Sequence, residues 1–344
     1  MLLLHAFVLS ILPLSADAPN RQPQLAAAHG QVALAFTSGH SIFFASSGDH
    51  GRTFGAPVKV AEAPVLAVGR HRGPRATILK DAIVVTAITG SKTGEGDLVT
   101  WRSMDRGKTW TRAGVVNDEP NATREGLHAI AADASGNLFA AWLDMRSPGT
   151  KLYGSRSTDG GLTWSKNVLL YQSPAGTICQ CCDPSIAISS NGEVALMWRN
   201  VLEGSRDLYV VSSRDGVHFD KPRKMGQGTW KLDACPMDGG GLAWDRGDLV
   251  SAWRRDADVF LARPGQPEVK LGTGKDVAIA LGNGGVYVAW SNGAGIEAMI
   301  PGSDKPQLVT AHGAFVNLAA LEDGSVLAAW EADGSIQTAL LNAR

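Results

Sequence analysis

An internal repeat constrains this chain more than any other feature of its sequence. A short apolar segment that ends in a bulky residue recurs seven times after residue 20. The copies cover residues 33–36, 85–88, 139–142, 195–198, 250–253, 287–290 and 327–330. Each copy follows a Gly or Asp turn, and a short apolar segment precedes that turn. The chain is therefore predicted to consist of repeated β units.

The period of the repeat predicts the architecture. A third segment of alternating character follows each copy, as at 208–211, and most units offer a fourth, as at 58–60 or 168–170. Seven units over about 326 residues give about 47 residues each, close to common propeller repeats. We predict an all-β fold, a β-propeller of four-stranded blades. Seven blades are favoured; six are the alternative, because the early units are long enough for larger blades. Helix should be scarce, because no long apolar stripe of helical period occurs.

A second motif recurs in step with the first. The pattern S-x-D-x-G-x-T-[WF] occurs at 47–54, 103–110 and 157–164, with a shortened form at 213–219; we call these four segments the Asp turns. Their aspartates, Asp49, Asp105, Asp159 and Asp215, are 56, 54 and 56 residues apart. Ser and Asp side chains can bond the backbone of a tight hairpin, and Gly supplies a positive φ. We therefore assign the Asp turns a structural role.

The Asp turns resemble the Asp boxes, or BNR repeats, of the sialidase superfamily, and the resemblance extends over most of the chain. It implies a β-propeller. It implies no single activity, because propellers of this kind include sialidases, other glycoside hydrolases, sorting receptors and assembly factors.

The resemblance also suggests which residues to compare with a sialidase site. Sialidases bind the substrate carboxylate with three arginines, and Arg75, Arg199 and Arg254 match such a triad by position. They use a tyrosine nucleophile, activated by a glutamate, together with an aspartate. All four tyrosines of this chain fall in predicted second, third or fourth strands, away from the inner strands. We therefore expect chemistry other than the sialidase mechanism.

Polar residues mark one face of the predicted propeller. The Asp turns join the third and fourth strands, so the residues before each first strand and after each second strand lie on the opposite face. Those positions include His71 and many charged groups. Guanidinium groups bind oxyanions bidentately, and paired carboxylates can act as acid and base. The predicted ligand-binding residues are Arg75, Arg146, Arg199, Arg254 and His128, and the predicted acid/base residues are Glu125, Asp144, Asp183 and Asp238.

The cysteines suggest a different class of site at the same face. All four lie in two short segments, as Cys179, Cys181, Cys182 and Cys235. Two disulfides are one interpretation, although neighbouring cysteines pair awkwardly. A soft site for Cu(I) or a tetrahedral site for Zn is the second, and redox-active thiols are the third.

The N-terminus and the charge balance suggest where the protein works. Residues 1–18 comprise an apolar run followed by an A-x-A sequence that ends at Ala18, which predicts an export signal and a single domain over 19–344. The protein should then be periplasmic or secreted, without a membrane span after signal removal. Lys and Arg total 32 against 33 Asp and Glu, which argues against a nucleic-acid partner.

Three functions stay open on this evidence. The leading hypothesis is binding, and possible hydrolysis, of an anionic or hydroxylated glycan or another small anionic ligand. The second is a Cu- or Zn-binding or redox propeller centred on the cysteines. The third is a non-enzymatic interaction module.

Overall fold

The chain folds into seven antiparallel sheets. The computed structural model describes residues 8–15, 17–263, 265–293 and 295–341, and every regular element in these ranges is a β-strand. The first blade contains β2 (Asn20–Ala28), β3 (Gln31–Ser38), β4 (Ser41–Ser47) and β5 (Val58–Glu62). The second blade contains β7 (Arg75–Ile78), β8 (Ile83–Gly90), β9 (Asp97–Ser103) and β10 (Thr111–Val115), and the short strand β6 (Val65–Leu66) also pairs with β8. The third blade contains β11 (His128–Ala132), β12 (Leu138–Asp144), β13 (Lys151–Ser157) and β14 (Val168–Tyr171), and the fourth contains β15 (Ser185–Ile188), β16 (Val194–Arg199), β17 (Leu208–Ser213) and β18 (Arg223–Lys224). The last three contain β19 (Gly241–Asp245), β20 (Asp248–Arg255), β21 (Asp258–Ala262) and β22 (Val269–Thr273); β23 (Lys275–Gly282), β24 (Gly285–Asn292), β25 (Gly295–Met299) and β26 (Gln307–Thr310); and β27 (Ala314–Ala320), β28 (Val326–Ala332), β29 (Ser335–Leu341) and β1 (Leu9–Ile11).

The sheets form a closed ring. The first strand of each blade neighbours the first strand of the next, and β27 neighbours β2. All seven copies of the apolar repeat lie in second strands, which confirms the predicted seven-bladed β-propeller and rules out the six-bladed alternative. The described residues contain no helix long and apolar enough to cross a membrane.

The N-terminal strand completes the seventh blade. Leu9, Ser10 and Ile11 of β1 pair antiparallel with β29, and Ile11 is buried. The side-chain amide of Asn20 donates to the Ile11 carbonyl at 3.1 Å. Export-signal cleavage after Ala18 stays a prediction, and part of the predicted signal, residues 1–7 and Ala16, lies outside the described residues. Such cleavage would remove β1 and leave β29 as an exposed edge strand.

Tryptophans of the repeat fill the spaces between blades. Trp142, Trp198, Trp290 and Trp330 are fully buried at the same position in their second strands. Trp330, for example, packs with residues of the sixth blade as well as its own. Because large aromatic side chains bury the most apolar area, the repeated tryptophan fixes the blade spacing.

The Asp turns are hydrogen-bonded in the way that their sequence predicts. In the second blade, the Ser103 hydroxyl donates to the Asp105 carboxylate at 2.8 Å and accepts from the Gly107 N–H at 2.8 Å. Asp105 also accepts the N–H and hydroxyl of Thr109 at 2.9 and 2.6 Å. Hydrogen bonds from Thr109, followed by one from Ser103, lower the pKa of Asp105 to about 2. These side chains are satisfied within the turn, which supports a structural role for the motif.

Candidate functional site

The seven inner strands enclose a central channel with a cavity at each end. Ile186, Leu242, Ile279 and Leu318 border both cavities and form an apolar waist. The larger cavity, about 780 Å³, opens on the face of the Asp turns and is lined largely by small and apolar residues. The smaller one, about 200 Å³, lies at the opposite face. We call the smaller one the axial cavity, and it contains most of the charged groups that face the channel.

Three inner strands bend in the same way at the axial cavity. Gln22, Asp276 and Phe315 have φ angles of 54°, 56° and 54°, and the pairing with the second strand slips at each of them. Such β-bulges redirect a side chain at the cost of backbone strain, and they concentrate next to functional sites. The first, sixth and seventh blades thus turn an amide, a carboxylate and an aromatic ring towards the same end of the channel.

His71 is the centre of the charged group at this end. Its Nε2 lies 3.0 Å from Oδ1 of Asp276, and its ring packs edge-on against Phe315. Burial alone would lower the pKa of His71, but the negative charge of Asp183 and the hydrogen bond and charge of Asp276 outweigh burial, with a further contribution from Asp238. Together they raise the pKa to about 9. His71 is therefore an imidazolium at neutral pH, and both of its ring nitrogens are donors.

Two further carboxylates hold different positions. Asp183 lines the cavity, and its Oδ1 accepts the Gly239 N–H at 3.2 Å. Asp238 is buried below the wall, where Oδ2 accepts the Asp276 N–H at 2.8 Å and Oδ1 accepts the Gly240 N–H at 3.3 Å. Burial raises the pKa of Asp238. Of these two carboxylates, Asp183 is therefore the one that can contact a ligand in the axial cavity. Asp238 instead holds the backbone at Gly240 and Asp276.

Arg75 supplies a second cation to the cavity wall. Its Nη1 donates to the Pro74 carbonyl at 3.1 Å and its Nη2 to the His71 carbonyl at 2.7 Å. Burial lowers the pKa of Arg75, and the charge of Asp183 opposes that effect. A guanidinium has five N–H donors, so Arg75 keeps donors for a ligand oxygen.

Asp144 and Arg146 form a closed network elsewhere. Asp144 is buried and accepts hydrogen bonds from Trp142 Nε1 at 2.8 Å and from Nε and Nη2 of Arg146, each at 2.9 Å. Arg146 also contacts Asp118 at 2.8 Å and stacks over Tyr153. Both predicted site residues are fully engaged in holding the third blade together, and neither lines the axial cavity.

Glu125 and His128 are also engaged outside the cavity wall. Glu125 accepts a hydrogen bond from Nη2 of Arg72 at 2.7 Å, and burial raises the pKa of Glu125. His128 is buried, with Nε2 3.0 Å from the Thr86 hydroxyl. Burial, followed by the positive charge of Arg75, lowers the pKa of His128 well below its usual value, so this ring is neutral.

The other two arginines predicted to bind a ligand, Arg199 and Arg254, donate hydrogen bonds to main-chain carbonyls. Arg199 is fully buried, and its guanidinium donates to the carbonyls of Asp238, Arg206 and Arg254. Arg254 donates to the Asp256 carbonyl at 2.5 Å and lies over the Trp230 ring. Neither belongs to the cavity wall, so the positional triad of Arg75, Arg199 and Arg254 does not converge there.

The structure groups three of the four cysteines. Sγ of Cys179 lies 3.5 Å from Sγ of Cys181 and 3.5 Å from Sγ of Cys182, and the last two are 4.0 Å apart. All three are buried, whereas Cys235 is exposed, and none of the four forms a disulfide. Within the described ranges, these three thiols are the one group of three or more His, Cys, Asp or Glu side chains close enough to share a metal ion.

Sequence reasoning thus located part of the cavity. Arg75 and Asp183 line it, with Asp238 directly behind. The residues predicted from the sequence do not include Asp276, Gln22 or Phe315, and the prediction gives His71 no role in the site. Asp276 directly precedes the apolar segment 277–280 of the sixth unit, a signal that could have identified it. Gln22 and Phe315 carry no charge, and only the bulges direct them to the site.

Comparisons with known proteins identify the fold alone. No protein-family model matches the chain, and no curated protein sequence resembles it significantly. An α-L-arabinanase from Penicillium chrysogenum in complex with arabinobiose superposes with a TM-score of 0.60 at 13% identity, over 97% of this chain and 98% of that one. An ulvan lyase bound to a GlcA–sulfated rhamnose unit gives 0.64 at 11%, over 97% and 96%. A sialidase from Streptococcus pneumoniae gives 0.57 at 11%, over 97% and 70%. The chain shares the fold of these enzymes.

Proposed function

We propose that the protein binds a single sugar residue of a glycan in the axial cavity. The observation that carries the proposal is the convergence of two cationic donors, His71 and Arg75, with one accessible carboxylate, Asp183, at one end of the channel. Sugar hydroxyls need both donors and acceptors at fixed positions, and a carboxylate or sulfate on the sugar would pair with Arg75.

The size of the cavity favours a small ligand. About 200 Å³ is below the roughly 300–1,000 Å³ of pockets for drug-sized ligands. A terminal sugar ring fits this description better than an internal stretch of a polysaccharide chain. Proteins of the same fold were solved with arabinobiose and with an ulvan unit, which supports a carbohydrate as the class of ligand.

The carboxylates favour binding over two-carboxylate hydrolysis. Hydrolysis of that kind needs two carboxyl groups on either side of the scissile bond. Asp183 is the one carboxylate that lines the cavity among the described residues. Asp144 is closed off by Trp142 and Arg146, and both oxygens of Asp238 already accept backbone hydrogen bonds.

A binding screen with matched variants tests this proposal. Wild-type protein is screened against neutral, carboxylated and sulfated monosaccharides and their glycosides, with calorimetry on the hits and a parallel assay for turnover. We expect Arg75→Lys and Asp183→Asn each to weaken binding at least about tenfold, because each loses a buried charged or bidentate contact. Arg254→Lys, outside the cavity, is the control and should stay within twofold. A folded wild type that binds none of these sugars would contradict the proposal, and turnover abolished by Asp183→Asn would replace it with a catalytic function.

We also propose that the protein works in the periplasm or outside the cell. The apolar N-terminal segment followed by Ala16-Asp17-Ala18 supports this. Intact mass of the protein recovered from its natural compartment tests it. A chain that begins at Pro19 in an extracytoplasmic fraction would support export with cleavage. A full-length chain in the cytoplasm would refute it and would leave residues 9–11 in the seventh blade.

A further inference from the structure

The thiols of Cys179, Cys181 and Cys182 are arranged as the three donors of one metal ion. A circle through their sulfur atoms, with sides of 3.5, 3.5 and 4.0 Å, has a radius of about 2.1 Å. An ion with metal–thiolate bonds of about 2.3 Å would therefore lie only about 0.9 Å from the plane of the three sulfurs. A disulfide needs a separation of about 2.0 Å, which no pair in this group approaches.

The charge around the cysteines favours an anionic complex. Arg199 is buried beside them, and its guanidinium donates to the carbonyl oxygens of Asp238, Arg206 and Arg254. The carboxylate of Asp238 is buried close enough to interact with this guanidinium, so one cation and one carboxylate are already present. The positive charge of Arg199 would also offset part of the negative charge of thiolates bound to a metal ion.

The groups packed against the thiols favour one kind of metal. Met237 packs against them and has a φ of 57°, a backbone conformation that a non-glycine residue adopts only when its surroundings impose it. The N–H of the next residue, Asp238, donates to Sγ of Cys182 at 3.4 Å. A thioether beside thiolates suits the soft ion Cu(I), whereas a structural Zn site takes a fourth protein ligand from Cys, His or a carboxylate. No such fourth group belongs to the cluster among the described residues.

We propose that Cys179, Cys181 and Cys182 form a binding site for one Cu(I) ion, and that the neighbouring Met237 supplies a thioether to the same ion. The site is independent of the sugar proposal, because none of these residues lines the axial cavity. The exposed Cys235 lies outside the site.

The test is a Cu(I) titration of the full-length, reduced protein under anaerobic conditions, in competition with a chromophoric Cu(I) chelator. We expect one Cu(I) per chain, sulfur-only coordination by X-ray absorption, and loss of stoichiometric binding in Cys182→Ser and in Cys179→Ser. Cys235→Ser is the matched control and should bind Cu(I) within twofold of wild type. Met237→Leu should weaken Cu(I) binding at least about tenfold, because it removes the thioether but keeps the apolar packing.

Three results would overturn the proposal. The first is a wild-type protein, with native circular dichroism, that binds no Cu(I) more tightly than Cys182→Ser does. The second is an equal mixture of Cu(I) and Zn from which the site takes Zn. The third is a count of two free thiols in protein purified without reductant, which would make two cysteines a disulfide. Because the wild-type stoichiometry is measured directly, misfolding of a variant leaves the test decisive.

Discussion

The ion pair of His71 with Asp276 gives a prediction with a calculable size. The pKa of His71 rises from 6.5 to about 9 on folding, which corresponds to about 3 kcal/mol. A histidine whose pKa is raised by folding stabilises the folded state fully below the unfolded pKa, and it loses that contribution as the pH rises through the folded pKa. The free energy of unfolding should therefore fall by about 3 kcal/mol between about pH 6.5 and pH 9 from this group.

Asp276→Asn tests the origin of that effect. The substitution keeps the shape and removes one of the carboxylates that face His71, so the pKa of His71 should fall below its wild-type value. The control is Asp323→Asn, which removes the partner of His50 from a pair at 3.3 Å in which both side chains are about two-fifths exposed. Exposed pairs contribute little, so this variant should leave the His71 titration and the pH dependence of unfolding unchanged.

The assay is a histidine titration by NMR, combined with urea unfolding at several pH values. The chain has eight histidines, so His71 is assigned from the signal that disappears in His71→Gln. A wild-type His71 that titrates near 6.5 would refute the electrostatic description of the cavity. An Asp276→Asn variant in which His71 titrates as in wild type would show that Asp276 is not the partner that the structure assigns.

Three further predictions concern stability and are checked by thermal or urea unfolding of the purified variants. Gly239→Ala should destabilise the protein by about 2–4 kcal/mol, because the new Cβ overlaps the Asp183 carbonyl oxygen. Gly48→Ala is the control and should change the stability by less than about 1 kcal/mol, because its new Cβ meets open space. Equal effects of the two variants would contradict the packing of the Gly239 loop. Asp144→Asn should lower the stability by about 3 kcal/mol, because it removes the buried negative charge that pairs with Arg146. A loss below about 1 kcal/mol would show that this network is not needed for stability. Ser103→Ala should cost about 1–2 kcal/mol by removing two hydrogen bonds of an Asp turn, and an unchanged midpoint would argue against a structural role for the motif.

The fold could be predicted because its determinants are local and repeated. Each second strand carries the same apolar run, and each Asp turn closes on itself through residues within about four positions of one another. The apolar run can be read seven times in the sequence, and the Asp turn four times. The closing strand β1 could not be read in the same way, because an apolar N-terminal segment has the same composition whether it serves as an export signal or as the edge of a blade.

The site was only partly predictable, for a different reason. A position just before or at the start of an inner strand identifies Arg75 and Asp183, since such a position is a property of the topology. What a charged side chain binds depends on contacts between distant segments: Arg199 reaches the Asp238 carbonyl 39 residues away, and His71 reaches Asp276 across 205 residues. Sequence position therefore places these residues at one face of the propeller, but it does not distinguish those that line the axial cavity from those that join blades.

The most direct test of the central claim is a crystal structure of the protein soaked with the tightest-binding sugar from the screen. The structure predicts density for one sugar ring in the axial cavity, within hydrogen-bond distance of Arg75, His71 and Asp183. Density instead in the larger cavity beside Trp244, or on the outer surface with the axial cavity empty, would contradict the claim.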